Sequence, residues 1–135
     1  MSPILRNILA VIAGLFGGNV INLFLVRAGH FIFPIEGVNP DDTEAFKAVL
    51  PDLELQYFLF PFLAHAIGTL AGAYVAGAIA ANSKMIIALV IGGCFFLAGV
   101  AINLYLNGPV WFTAVDLVLA YFPMAWIGGR LSNRS

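Results

Sequence analysis

The chain has 135 residues, 61% hydrophobic and 10% charged, with a formal net charge of −1. A soluble domain carries roughly 25% charged residues, and at this size it cannot hide so much apolar surface from water; hydrocarbon is the solvent that accepts it. The near-neutral balance, with no basic stripe, speaks against a nucleic-acid partner. The one cysteine, Cys94, excludes an internal disulfide and reads as a small buried hydrophobe inside an apolar run.

In chain order, the first apolar run spans about 3–29. Ser2 is suited to cap it and Pro3 to open it. Arg6 before an apolar stretch resembles a signal peptide, but the run is too long and lacks a small-x-small cleavage site, so an uncleaved spanning helix is expected. Further runs cover about 55–81, 84–106 (capped by Asn82 or Ser83) and 109–131 (after Asn107-Gly108-Pro109). Each exceeds the roughly 20 residues that a helix needs to cross hydrocarbon. Spans of this kind must be helices, because backbone groups in lipid need partners within the segment. Pro61 and Pro123 predict kinks in the second and fourth. Phe58, Phe60, Trp111, Phe112 and Tyr121 read as interfacial or lipid-facing aromatics.

The polar stretch 34–54 contains Asn39-Pro40-Asp41-Asp42, a helix start with Asn39 as cap, and Pro51, a helix stop. A short helix over about 40–50 is expected, lying on the membrane surface or capping the bundle. The fold expected is therefore one all-α domain, a membrane four-helix bundle with a short extracytoplasmic surface helix in the first loop. Arg6, Lys84, Arg130 and Arg134 fall on one side, Arg27 and Lys47 on the other, which places both termini in the cytoplasm by the positive-inside rule.

Small residues recur at four-residue spacing: Ala10, Gly14 and Gly18; Gly68 and Gly72; Ala73 and Gly77; Ala88 and Gly92; Ala125 and Gly129. Such faces let helix backbones approach closely, within one bundle or between copies. Two echoes hint at duplication of a two-helix unit. Ile21-Asn22-Leu23-Phe24-Leu25 matches Ile102-Asn103-Leu104-Tyr105-Leu106, and Leu63-Ala64-His65 with Gly72 matches Leu119-Ala120-Tyr121 with Gly128.

Ionisable groups inside spans are costly and need a partner or a water-filled site. Asp116 falls about 10 Å inside the outer end of the fourth span, with Asn22 at similar depth and Asn103 slightly nearer the surface. Asn19 and His65 fall near the midplane, and Arg27 and His30 at the outer rim. These seven residues form the candidate polar cluster. For Asp116, one reading is a structural pair with Arg27, supported by Asn22 or Asn103; the other is a proton, cation or polar-substrate site. Asn19, Asn22 and Asn103 are expected to be interhelical hydrogen bonds. A metal held by Asp116, His65 and His30 lacks any recognised ligand spacing, so no metal is expected. No cofactor motif and no nucleophile, P-loop or metalloprotease motif is present.

The stretches FPFLAHAIGTLAGA at 60–73 and DLVLAYFPMAWIGGRL at 116–131 resemble small bacterial four-span membrane proteins of unassigned function. The resemblance covers most of the chain. It implies a bacterial inner-membrane location and carries no residue role with it. The function expected is a non-enzymatic accessory or scaffold protein that self-associates or joins a larger membrane complex. The alternative is a small oligomeric transporter or channel for a proton, cation or polar solute, built around Asp116. A third reading, an enzyme acting on a lipid or quinone, would use Asp116 and His65 as acid and base.

Overall fold

The computed structural model describes residues 1–133; Arg134, counted above among the basic residues, lies outside them. The described chain is all-helical. Helix α1 covers Pro3–Ile32 and α2 Thr43–Val49. Two 3-10 turns, Leu50–Asp52 and Leu55–Phe58, lead into α3, Leu59–Ile79. Then follow α4, Lys84–Leu106, α5, Val110–Leu119, and α6, Phe122–Asn133. Four segments are long and apolar enough to cross a membrane: Pro3–Ile32, Leu55–Ile79, Lys84–Leu106 and Val110–Asn133.

Local chemistry sets most boundaries. Ser2 Oγ accepts from Leu5 N at 3.2 Å, with Pro3 in the first turn. The short helix starts at Thr43 rather than 40, capped by Asp42, whose Oδ1 accepts from Ala45 N at 3.1 Å. Asn39 instead closes the preceding turn by accepting from Asp41 N at 2.9 Å. Asn82 does not cap α4; its Oδ1 accepts from Asn7 Nδ2 at 2.9 Å. Pro61 produces no kink, because it sits in the first turn of α3, where its missing N–H has no helical partner to lose. Pro123 does more than kink. It cannot donate to Leu119, and its ring displaces the carbonyl four residues back. The fourth span therefore breaks into α5 and α6 around Ala120 and Tyr121.

The small-residue faces are used inside the chain. Ala10, Gly14, Gly18, Gly68, Gly72, Ala73, Gly77, Ala88, Gly92, Ala125 and Gly129 are all buried. α1 lies so close to α3 that a Cβ on Gly14 would come within 2.6 Å of the Gly72 carbonyl oxygen. α3 packs against α1, α4 and α6, whereas α1 and α4 barely touch. Cys94 is exposed rather than buried, on the side of α4 turned away from the bundle.

The two ends of the bundle differ. At the terminal end, where α1 begins and α3 ends, basic side chains meet the free carbonyls of α3. Arg6 Nε donates to Ile79 O at 2.6 Å and Lys84 Nζ to Gly77 O at 2.9 Å. At the loop end, Leu50, Phe58 and Phe112 form a buried cluster with Phe46, Leu53, Phe62 and Leu106 packed on it. Phe58 and Phe112 are thus core residues, not lipid-facing ones. α2 is fastened over this end by Tyr105, whose hydroxyl donates to Glu44 Oε1 at 2.8 Å and whose ring receives Lys47 Nζ 4.7 Å from its centroid.

Candidate functional site

Asp116 stands one turn before the end of α5 and is fully buried. Three hydrogen-bond partners from three parts of the chain converge on its carboxyl group. His65 Nδ1, on α3, is 2.8 Å from Oδ1. Asn103 Nδ2, on α4, donates to Oδ2 at 3.0 Å. The Tyr121 hydroxyl, from the break between α5 and α6, donates to Oδ2 at 3.1 Å. Oδ2 accepts from Asn103 and Tyr121, and Oδ1 shares one hydrogen with His65 Nδ1, whose role follows the tautomer of the ring.

The partners are themselves held. Asn103 also donates to Gly99 O at 2.9 Å and accepts from Thr113 Oγ1 at 3.4 Å. The Tyr121 ring stacks on His65, with centroids 5.8 Å apart and planes 26° apart. Gly99 makes this possible, since a Cβ there would run into the tyrosine ring. Thr69, buried one turn after His65, donates to the His65 carbonyl at 2.7 Å.

Two cavities meet at this cluster. One, of about 280 Å³, lies under the loop end; Asn22, His65 and Asn103 line it together with His30 and aromatic side chains that include Phe58, Phe60 and Phe112. The other, of about 200 Å³, opens sideways between α1 and α4 and also reaches His65 and Asn22. Asn22 Oδ1 is buried without a hydrogen-bond partner.

The seven predicted residues therefore separate. Asp116, His65 and Asn103 form one network, with Asn22 beside it. Asn19 lines the lateral cavity and donates to Leu15 O of its own helix at 2.9 Å, not to a neighbouring helix. His30 lines the loop-end cavity with its ring edge-on to Phe46, centroids 6.0 Å apart. Arg27 does not pair with Asp116. Its guanidinium lies exposed, 3.5 Å from Asp41 in the loop. No group of three His, Cys, Asp or Glu side chains fit to hold a metal occurs among the described residues. Tyr121 is the member of the network that its aromatic, apolar surroundings concealed. It is 2% exposed rather than lipid-facing, and its one sequence signal was the echo that aligned it with His65.

No protein-family profile, no curated protein and no solved structure matches the chain, so the resemblance to small bacterial four-span proteins finds no counterpart there.

Proposed function

We propose that this chain is a multi-pass protein of the bacterial inner membrane that binds a small molecule at His65 and couples binding to protonation of the His65–Asp116 pair, as a small transporter or binding subunit does. In this reading both termini face the cytoplasm, α2 lies along the outer membrane surface, and the loop-end cavity faces outward. The observation that carries it is the 2.8 Å contact between His65 Nδ1 and the fully buried Asp116 carboxyl, on a histidine that borders two cavities. An intramembrane carboxylate is costly and marks proton or solute handling more often than soluble-protein experience would suggest. The chemistry follows from the geometry. A neutral imidazole offers one donor and one acceptor and an imidazolium two donors, and the adjacent Asp116 carboxyl group can balance the added charge. Ligand preference then changes with each proton taken or released.

The second reading is a structural one, an accessory or scaffold protein that self-associates or joins a larger membrane complex. It is favoured by the three bonds that Asp116 already makes, which stitch α3, α4 and the broken fourth span together. Proteoliposomes holding a pH-sensitive dye separate the two. Solute gradients are expected to drive proton movement that Asp116→Asn abolishes while helix content and oligomer mass are kept. A variant that loses thermal stability and nothing else returns the site to the scaffold reading.

A further inference from the structure

The lateral cavity has an unusual lining for a surface turned toward hydrocarbon. It is lined by Gly18 of α1 and by Phe95, Ala98 and Gly99 of α4, two helices that make few contacts with each other. Exposed apolar residues, Leu23 at 57% and Leu97 at 70%, lie on the helices that flank it. Yet its rim carries Asn19, exposed near the middle of α1, and its floor is Asn22 and His65. Two acceptors there are uncommitted: Asn22 Oδ1, unpaired and buried, and Asn19 Oδ1, whose nitrogen is occupied by Leu15 O; the His65 ring, whose Nδ1 is occupied by Asp116, borders the same cavity. An unmet polar group at this depth is costly.

We propose that a lipid-soluble phenol, a class that includes quinols, enters from the bilayer between α1 and α4 and seats its hydroxyl on Asn22 and His65. This deepens the solute-binding reading and rests on it. A hydroxyl both donates and accepts, and it meets an amide and an imidazole nitrogen at once. The ends of the Asn22 amide exchange places by rotation about Cβ–Cγ, so either end can face the ligand. Phe58, Phe60 and Phe112 in the adjoining cavity suit a ring, and the joined volumes of about 280 and 200 Å³ take a two-ring head. A cavity of about 150 Å³ already holds benzene. The membrane is the source because α2 and Leu50, which packs against Gly108, roof the loop end, whereas the sideways opening carries no such cover.

The test uses 6-fluoro-2-naphthol and its methyl ether as probes, followed by ¹⁹F NMR on the full chain in nanodiscs with empty nanodiscs as baseline. The naphthol is expected to bind roughly tenfold more tightly than the ether, the worth of one hydrogen bond to a buried unpaired group. Asn22→Leu, close in shape, is expected to reduce that preference, with His65 left as the hydroxyl's one partner, and to keep ether binding. Ala98→Phe, which fills the lateral cavity, is expected to weaken both. Equal binding of the two probes to the wild-type chain overturns the phenol assignment but leaves the solute-binding reading in place. Undiminished binding to Ala98→Phe overturns the lateral route, and no binding above empty nanodiscs overturns both proposals. The wild-type comparison stands even where a variant fails to fold.

Discussion

Asp116 decides more than any other single residue, because its oxygens are surrounded by hydrogen-bond partners. In Asp116→Asn one oxygen becomes an NH₂ group facing either His65 Nδ1 or the Asn103 amide and Tyr121 hydroxyl. Facing Asn103 and Tyr121, the new donor meets donors; facing His65, it needs the tautomer that offers Nδ1 as acceptor. The expected loss is roughly 2 kcal/mol of stability, because a neutral amide accepts weaker hydrogen bonds than a carboxylate. Tyr121→Phe removes one partner and leaves two, with an expected loss of about 1 kcal/mol. Thermal unfolding in detergent reads both, and a larger loss for Tyr121→Phe than for Asp116→Asn would contradict the network. Asp116, His65 and Asn103 were legible because polar groups stand out against apolar runs. Their pairing was not. Arg27 offered the formal opposite charge at the same end of the bundle, but reach along a helix is set by rotation about its axis, and α1 points Arg27 to Asp41 instead. Tyr121 was hidden because it stands five residues after Asp116, a spacing that puts the two on different faces of an unbroken helix. The break at Ala120 and Tyr121 is what turns the hydroxyl back.

At the scale of helices, spacing announced the small-residue faces but not which glycine sits at a crossing. Gly14 and Gly17 make the distinction measurable. A Cβ on Gly14 would meet the Gly72 carbonyl oxygen at 2.6 Å and the Ala76 Cβ at 2.8 Å, both belonging to α3 and unable to swing aside. On Gly17 the nearest atom would be Val75 Cγ2 at 3.8 Å, an ordinary contact. Gly14→Ala is thus expected to force α1 off α3 at a cost of about 2 kcal/mol. Gly17→Ala is expected to be neutral or stabilising, by up to about 1 kcal/mol from helix propensity. Unfolding of the two variants in mixed micelles checks the pair, and equal behaviour would mean that the α1–α3 crossing lies elsewhere. The same limit explains the fourth span. Pro123 marked an interruption in the sequence, but its consequence depended on α5 and α6 each finding separate contacts, α5 through Phe112 in the loop-end cluster and α6 through Ala125 and Gly129 against α4.

For the molecule as a whole, the controlling quantity is how little of its apolar surface the chain covers by itself. In the most apolar stretch of α1, 17% of residues are buried within the protein, and in that of α4, 22%. The rest suits hydrocarbon, and the four long apolar helices are each able to cross a bilayer; the direction in which they would do so is left to the charges at the two ends. Arg6 and Lys84 are tied to the last carbonyls of α3, so their positive charges belong to the terminal end for structural reasons and also weigh in the topology. At the loop end Arg27 is offset by Asp41, and Lys47 lies over Tyr105. The terminal end should accordingly stay in the cytoplasm. In a Cys94→Ala background, Glu36→Cys and Asn133→Cys place single thiols at exposed positions on opposite ends. A membrane-impermeant maleimide added to intact spheroplasts is expected to label position 36 and to reach position 133 after permeabilisation. The reverse pattern would put the loop-end cavity and its roof in the cytoplasm. His65 would then exchange protons with the cell interior, and the outward-facing part of the proposed function would fall while the network around Asp116 stood unchanged.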